Sequence, residues 1–576
     1  MGGSCKLTIV VQWIEASLRD HPELALFLTL AMGYLLGRIR LGPFTLGPVV
    51  GCLLAGVAVG QMDIEVPGVL GRTFFLLFLF SIGYKTGPQF FRGFGGSALP
   101  QVALTLLFDV TGFLTAYAVA ILFGFDAGTA TGLLAGGLHS SEALGTGSDA
   151  IARLAVRDEV RRALTADATV AYAVTYMVAI FAGIFLLVRA GPRLMKVDLR
   201  AECKKLEKEL GLTKEGIGIV SAYKQFVMRA YKMPETMDGK SVAEIESKFS
   251  PQRVFVERVK NAEGVFDAEP SFRLQTGNLI LLTGRPGLLG GADNPLRSYE
   301  VEDAQLLDVP AIAVDYVLER EDLVDRPLAK IVEVLEQDVA IRGVYLRKVL
   351  RAGQELPLGS KVVLERGDVL TLIGAKRQVD RVAARLGPVE QPSHATDLVW
   401  LCLAIGIGGL LGLPAIRAGA LTIGLGLPVG VLLASFVAGW LHSIRPLFGR
   451  VPEPVIWLLD SLGLNGFLAS VGINAGPSFV RGLRTTGLEL MVTGVIVCAV
   501  PYLLTILAGR YIFRIHPGIL LGMCAGSGTS SPGLAAVQEK AESRVPVLGY
   551  GVSYAISALV FALWGSLIVM LLAKRS

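Results

Sequence analysis

Long apolar runs separated by short polar stretches set the plan of this chain. Apolar segments recur at about 23–37, 43–60, 67–86, 97–123, 128–150 and 168–189, and again at about 397–412, 419–440, 454–474, 487–508, 516–538 and 546–572. As helices, runs of about 18–25 residues are long enough to cross a hydrocarbon core of roughly 30 Å. Between the two sets, from Lys196 to Thr396, the pattern changes. Strand-like runs such as Arg253–Val259 and Leu279–Thr283 alternate there with amphipathic helical ones such as Leu328–Leu335. The pattern predicts a polytopic α-helical membrane protein with an α/β soluble insert. Its expected parts are a first membrane repeat over 1–195, two insert modules over 196–295 and 296–395, and a second membrane repeat over 396–576.

Two of the apolar segments are broken by small polar residues. Residues 136–150 read GGLHSSEALGTGSDA and residues 524–536 read CAGSGTSSPGLAA, each between long apolar flanks. In hydrocarbon, backbone that is not helical must be buried in protein or line a wet cavity, because an unpaired amide costs several kcal/mol. Twin interruptions at matching places are the pointer to a transporter's central site. The halves are copies. SIGYKTGPQFFRG at 81–93 matches SVGINAGPSFVRG at 470–482, and GCLLA at 51–55 matches GVLLA at 430–434. Ser140 and Ser141 match Ser530 and Ser531, and AYAVTY at 171–176 matches GYGVSY at 549–554. The insert is duplicated as well, TGNLILLTG at 276–284 resembling RGDVLTLIG at 366–374.

Composition fits this picture: 52% of residues are hydrophobic and 18% charged, below the roughly 25% charged of a soluble domain. A net charge of +5 is small for the length and argues against a nucleic-acid partner. The six cysteines are scattered without CxxC spacing, so neither a metal site nor a disulfide framework is expected. The first apolar run, Leu24–Leu36, reads as a span and not as a cleaved signal. Arg38, Arg40, Lys85 and Arg92 alternate with acidic Asp63, Glu65 and Asp126, which places the N-terminus outside and Arg92 inside. Arg189, Arg193, Lys196 and Arg200 place the insert inside. If segment 128–150 dips in and returns, each half has five crossings and the second half is inverted. Both termini are then outside, although the Arg153–Arg162 cluster is left outside too.

The residues able to carry chemistry cluster at the breaks. Ser140, Ser141, Thr529, Ser530 and Ser531 supply hydroxyls, with His139, Glu142 and Pro532 beside them. Helix ends meeting there would present partial charges suited to a small zwitterion or dicarboxylate; the bland alternative is that the serines cap or pack helices. Intramembrane charges are the second clue, since each costs at least about 2.5 kcal/mol at mid-span. They are Arg72, Lys85, Asp109, Asp149 and Asp460 besides Glu142. Arg72 and Lys85 would offset substrate carboxylates, or Lys85 would snorkel from near a helix end. Gly87-Pro88 and Gly476-Pro477 are expected to end a helix or form a hinge in each half. Enzyme motifs are absent. The Asp238–Ser241 stretch DGKS lacks the earlier glycine of a phosphate loop, where Pro234 stands, and there is no HExxH among the five histidines. Transport, with no cofactor and no visible ATPase, is then gradient-driven.

Together SIGYKTGPQFFRG, SVGINAGPSFVRG, HSSEAL, TSSPGL and VPVLGYGVSYAIS resemble the aspartate–alanine exchanger family of bacterial secondary carriers. The insert resembles a tandem pair of TrkA-C modules, from GKSVAEI at 239–245 and the strand closes at Gly284 and Gly374. The resemblance runs from about Leu24 to Leu572. It implies electrogenic exchange of L-aspartate for L-alanine in the bacterial inner membrane by a homodimer, with a small regulatory ligand on a cytoplasmic insert. Relatives that move succinate keep a dicarboxylate exchanger open. A ligand-regulated cation:proton carrier or channel, though without a TVGYG-like filter, and a membrane-tethered sensor are the readings from other classes.

Overall fold

The computed structural model describes residues 13, 15–41, 44–95, 98–210, 227–249, 254–284, 286–289, 294–309, 311–318, 320–338, 344–351, 354–386, 396–418, 421–444 and 449–573. The chain forms two compact units. One comprises 1–205 and 394–576 together with 352–354, and the other 206–351 and 355–393.

The first unit is helical and built twice. Its first half contains α1 (Pro22–Leu36), α2 (Pro48–Gly60), α3 (Gly68–Arg92), α4 (Leu99–Phe123), α5 (Ala127–Gly137), α6 (Ser141–Ala152) and α7 (Asp158–Phe185). Its second half contains α8 (Leu398–Gly412), α9 (Leu427–Ile444), α10 (Glu453–Leu507), α11 (Pro517–Ser527), α12 (Ser531–Ala541) and α13 (Val547–Leu572). Among the described residues seven stretches are long and apolar enough to cross a membrane, and α1, α2, α8 and α11 are shorter apolar helices. Leu28, Leu122, Leu410 and Leu488 stand exposed on these helices, as lipid-facing side chains do. A short antiparallel strand pair follows the first helix of each half, Arg40–Leu41 with Phe44–Thr45 and Ala415–Ala418 with Leu421–Gly424. Local chemistry explains the ends. Proline opens α1, α2 and α11 within the first turn, where its missing N–H costs nothing. Asp126 caps α5 by accepting from the Thr129 amide at 2.7 Å.

The halves interlock. α2 of the first half packs on α10 of the second, and α9 of the second packs on α3 of the first. The Gly-Pro pairs lie at these crossings, and here the structure corrects the sequence expectation. Neither pair ends a helix: α3 runs through Gly87-Pro88 to Arg92, and α10 runs through Gly476-Pro477 to Leu507. Each proline has no N–H to offer the carbonyl four residues earlier, Tyr84 or Ile473. A helix from the other half presses a glycine against that carbonyl. A methyl group at Gly439 would lie 2.0 Å from the Tyr84 oxygen, and one at Gly60 would lie 2.1 Å from the Ile473 oxygen. Gly87 and Gly476 serve the same contacts, against Phe436 and Gly60. The neighbouring helix holds the chain helical past proline, which propensity alone does not reveal. Because α3 continues, Lys85 stands seven residues inside it, not near its end. Likewise the segment expected at 168–189 starts as a helix at Asp158.

The second unit holds two larger antiparallel sheets, besides the strand pair Arg326–Pro327 and Val363–Leu364. In the first, the order of strands runs from Gly264–Asp267 through Phe255–Asn261, Leu279–Gly284 and Val227–Lys232 to Glu300–Val301, so it reaches beyond the expected module boundary at 295/296. In the second, Val369–Ala375 lies between Val344–Arg351 and Ala311–Val317. The duplicated motifs form the central strands. The copies agree in detail: a bulge falls between Val256 and Arg258 in one and between Leu346 and Lys348 in the other. The turn glycines before the central strands, Gly277 and Gly367, take φ of 88° and 84°. That is backbone only glycine adopts at no steric cost. The expected runs at 279–283 and 328–335 lie within a strand and the helix Leu328–Asp338, whereas Arg253 lies outside the described residues. Asp238–Ser241 is no phosphate loop: Ser241 and Glu244 form a capping box on a six-residue helix.

Candidate functional site

Both broken segments are helix–break–helix hairpins. α5 stops at Gly137 and α6 starts at Ser141; α11 stops at Ser527 and α12 starts at Ser531. At each break one non-glycine residue is forced into the left-handed region, His139 at φ 59° and Thr529 at φ 43°. Left-handed backbone costs about 1–2 kcal/mol for a residue with a Cβ, and such strain persists only where the surroundings over-determine it. The serine after the strained residue caps the second helix. Ser140 Oγ accepts from the Ala143 amide at 3.1 Å, and Ser530 Oγ accepts from the Gly533 amide at 3.0 Å.

The two breaks meet. Thr529 Oγ1 donates to the His139 carbonyl at 3.2 Å, joining residues 390 apart in the chain. The hairpins also exchange partners: α5 packs on α7 and α11 on α13 in their own halves, while α6 packs on α13 and α12 on α7 across the halves. The N-termini of α6 and α12 are thus brought to one region, each with its first amides beyond the reach of an intrahelical acceptor.

Four tyrosines line this region. Ser141 Oγ is 3.0 Å from the Tyr172 hydroxyl, and Ser531 Oγ is 3.1 Å from the Tyr550 hydroxyl. Tyr176 lies beside Tyr172 with ring centroids 5.2 Å apart, and Tyr554 beside Tyr550 at 5.4 Å. In the sequence these tyrosines stand only as part of a repeat block, with nothing local that assigns them to the site. The signal was there: the blocks at 171–176 and 549–554 keep a Tyr at their second and last positions.

The site has an acidic side. Ser140 Oγ donates to Glu142 Oε2 at 2.9 Å, and Glu142 is buried in the first turn of α6. The equivalent residue on α12 is Pro532, which is exposed, as is Ser531. Asp460, on α10, accepts from Ser81 Oγ at 3.4 Å and lies within electrostatic reach of Glu142 and Lys85.

The remaining candidates, Lys85 aside, fall elsewhere. Arg72 and Lys85 are both exposed on α3, Arg72 within electrostatic reach of Arg153. Asp149 pairs with Arg153 one turn along α6. Asp109 is fully buried on α4 and accepts from Ser557 Oγ at 2.8 Å. The His139 ring meets Tyr176 edge to face at 5.7 Å. Gly87, Pro88, Gly476 and Pro477 belong to the interlocking crossings. No group of three or more metal-ligating side chains exists among the described residues.

A family model described as a predicted permease membrane region, that of the aspartate–alanine exchangers, matches residues 25–190 and 400–570. Those spans are the two helical halves. The chain belongs to the aspartate–alanine exchanger family. Relatives agree over nearly full length. An uncharacterized transporter of Shewanella oneidensis is 35% identical over 98% of this chain and 100% of its own. One of Bradyrhizobium diazoefficiens is 38% identical over 90% of this chain and 100% of its own, and one of Bordetella parapertussis is 35% identical over 97% and 99%. No solved structure matches. This exchanger-family chain is therefore a multi-pass membrane transporter protein, and the paired breaks are its candidate substrate site.

Proposed function

We propose that this chain exchanges L-aspartate for L-alanine by alternating access, with the solute held where the two breaks meet. The carrying observation is the pairing of two capped helix N-termini, those of α6 and α12, beside one buried carboxylate, Glu142. Helix N-termini favour anions, so two of them suit the two carboxylates of aspartate. Glu142 suits its ammonium. Alanine, with one carboxylate and one ammonium, uses half of the cradle. Exchange of a −1 solute for a neutral one moves charge and, coupled to decarboxylation, stores energy as membrane potential. A dicarboxylate such as succinate satisfies both N-termini but leaves Glu142 without a cation, so Glu142 separates amino acids from plain dicarboxylates.

In this reading the two membrane halves are inverted repeats and the solute passes near the midplane as one bundle moves against the other. The insert is a pair of TrkA-C modules in the cytoplasm that takes a small regulatory ligand, the termini lie outside, and the protein works as a homodimer in the bacterial inner membrane. Proteoliposomes test the central claim. Labelled aspartate uptake should need internal aspartate or alanine, and should generate a potential only against alanine. Uptake indifferent to what is inside would overturn exchange.

A further inference from the structure

One helix pair of the membrane unit carries a polar seam that its copy lacks. Gln101, Thr105 and Asp109 recur every four residues along α4, and Gly549, Ser553 and Ser557 do so along α13, a spacing that sets each trio on one face. Gln101 Nε2 donates to the Gly549 carbonyl at 2.6 Å and to Ser553 Oγ at 3.2 Å. Thr105 Oγ1 is 2.9 Å from Ser553 Oγ, and Ser557 Oγ donates to Asp109 Oδ1 at 2.8 Å. Ser527, the residue before the second break, donates to Thr105 Oγ1 at 3.4 Å. The seam runs from half-buried Gln101 to fully buried Asp109 and branches to the break.

The copied pair, α10 against α7, shows that packing does not require this. Leu490, Gly494 and Cys498 stand there against Ala171, Thr175 and Ala179, and the place of the Asp109–Ser557 bond is taken by Cys498 Sγ and the Ala179 carbonyl, 3.6 Å apart. Asp109 Oδ2 has no hydrogen-bond partner among the described residues. The elements packed on α4 are α5, α10, α11 and α13. Their titratable side chains near this level are Cys498, Tyr502, Cys524, Tyr550 and Tyr554. All charged residues of these elements lie on α10 at or before Glu489. That is thirteen residues, about 20 Å of helix, from Tyr502, whose ring meets Phe108 at 4.9 Å. An ionised carboxylate so placed would be compensated by one hydroxyl, at a cost of several kcal/mol. A proton on Oδ2 removes that cost.

We propose that Asp109 is a proton-binding site that holds α4 and α13 together. It is protonated while the seam is closed, and its proton leaves for water entering past Gln101 when the pair parts, leaving a hydrated carboxylate that is reprotonated on closing. Because the proton comes and goes at the same end, the charge moved per exchange is unchanged. The proposal rests on the transport reading for its effect on rate, though not for the protonation itself.

The test uses the full-length protein in proteoliposomes. Infrared spectroscopy should show a protonated-carboxyl C=O band that Asp109→Asn removes and Ser557→Ala shifts. An unchanged band in Asp109→Asn would overturn the proposal. If that variant does not fold, the Ser557→Ala shift decides, and its absence overturns it equally. In counterflow of labelled L-aspartate against internal L-alanine, the rate should rise with pH about tenfold per unit below the titration, the slope of one proton, and then level. Asp109→Asn should be slow and flat with pH; a variant that keeps the pH slope also overturns the proposal. If the wild type moves none of aspartate, alanine and succinate, the transport reading fails, while the infrared result still decides Asp109.

Discussion

The first and second membrane halves share their geometry and differ in their charge. Both hairpins break before a capping serine and place the next serine on a tyrosine hydroxyl, and in each half a glycine of the other half presses on the carbonyl four residues before a proline. Yet three acids, Asp109 and Glu142 buried and Asp460 partly buried, each stand in one half only. The partners of Asp109, Glu142 and Asp460 by repeat position are Cys498, Pro532 and Gly71. The insert repeats the lesson. Asp368 Oδ2 accepts from the Glu365 amide at 2.8 Å, as Asn278 Oδ1 accepts from the Gln275 amide at 3.0 Å in the other module. Arg351 donates two bonds to Asp368, at 2.8 and 2.6 Å, and also pairs with Glu365. The other module carries Asn261, Gln275 and Asn278 at those positions. Duplication preserves what packing demands; charge, which packing merely tolerates at a cost, is free to specialise.

The largest effect should come from the shared part. Gly439→Leu or Gly60→Leu drives a side chain into a backbone carbonyl of the other half, which cannot retreat as a side-chain tip can. Overpacking of a core costs about 1–3 kcal/mol and occasionally more, and this case should exceed that range, read as loss of monodisperse protein in detergent. If the halves are equivalent there, the two variants lose protein alike; a marked difference would break the comparison.

Next in size is the charged cluster of the insert. Arg351→Ala strands two buried carboxylates and should cost about 3–5 kcal/mol in denaturant unfolding. The triple change Arg351→Asn, Glu365→Gln, Asp368→Asn copies the other module and should cost much less. Equal losses would mean that the modules are not interchangeable at this turn.

At the candidate site, Ser141→Ala and Ser531→Ala each remove a hydroxyl worth about 1 kcal/mol, or about fivefold in aspartate affinity, and the double change about thirtyfold. A single variant matching the double would make the cradle one-sided. Glu142→Gln should lower the preference for aspartate over succinate about tenfold without weakening succinate, measured by competition in counterflow. An unaltered preference would remove Glu142 from recognition.

The smallest effect concerns pH and the insert alone. The Lys260 ammonium, bonded to Asp303 at 2.5 Å, holds that carboxyl below its usual range, aided by the Leu306 amide. Its contribution is therefore complete above the unfolded value of about 3.9 and disappears as pH falls through the lower folded value. Asp303→Asn should lower stability slightly at neutral pH, leave it unchanged below the folded value, and so flatten the acid limb. A loss confined to acid pH would contradict that sign.

Much of this was legible in residues. The breaks at 138–140 and 528–530 were readable because glycine and serine inside apolar runs conflict with an unbroken lipid-facing helix. The repeats were readable as matched strings, and the insert as a change of period. The Gly-Pro pairs misled because helix-breaking rules describe an isolated chain. Pro88 and Pro477 instead sit where a helix from the other half packs a glycine on the carbonyl four residues before each proline. The tyrosines escaped because nothing local separates a site tyrosine from a packing one; only the hydroxyl–hydroxyl distances do. Asp109 stood out in the sequence as an expense, but its seam was invisible, since its partners lie 448 residues away.

By itself the sequence determined the membrane class, the duplication, the insert and the places where helices must break, because those follow from local hydropathy, period and backbone chemistry. The tertiary structure alone decided that the two breaks touch through Thr529 and His139, that the hairpins exchange partners, and that Asp109 meets Ser557. Those are facts about which distant residues share a few ångströms, and contact between distant segments is settled by shape and packing, not by the order of residues along the chain.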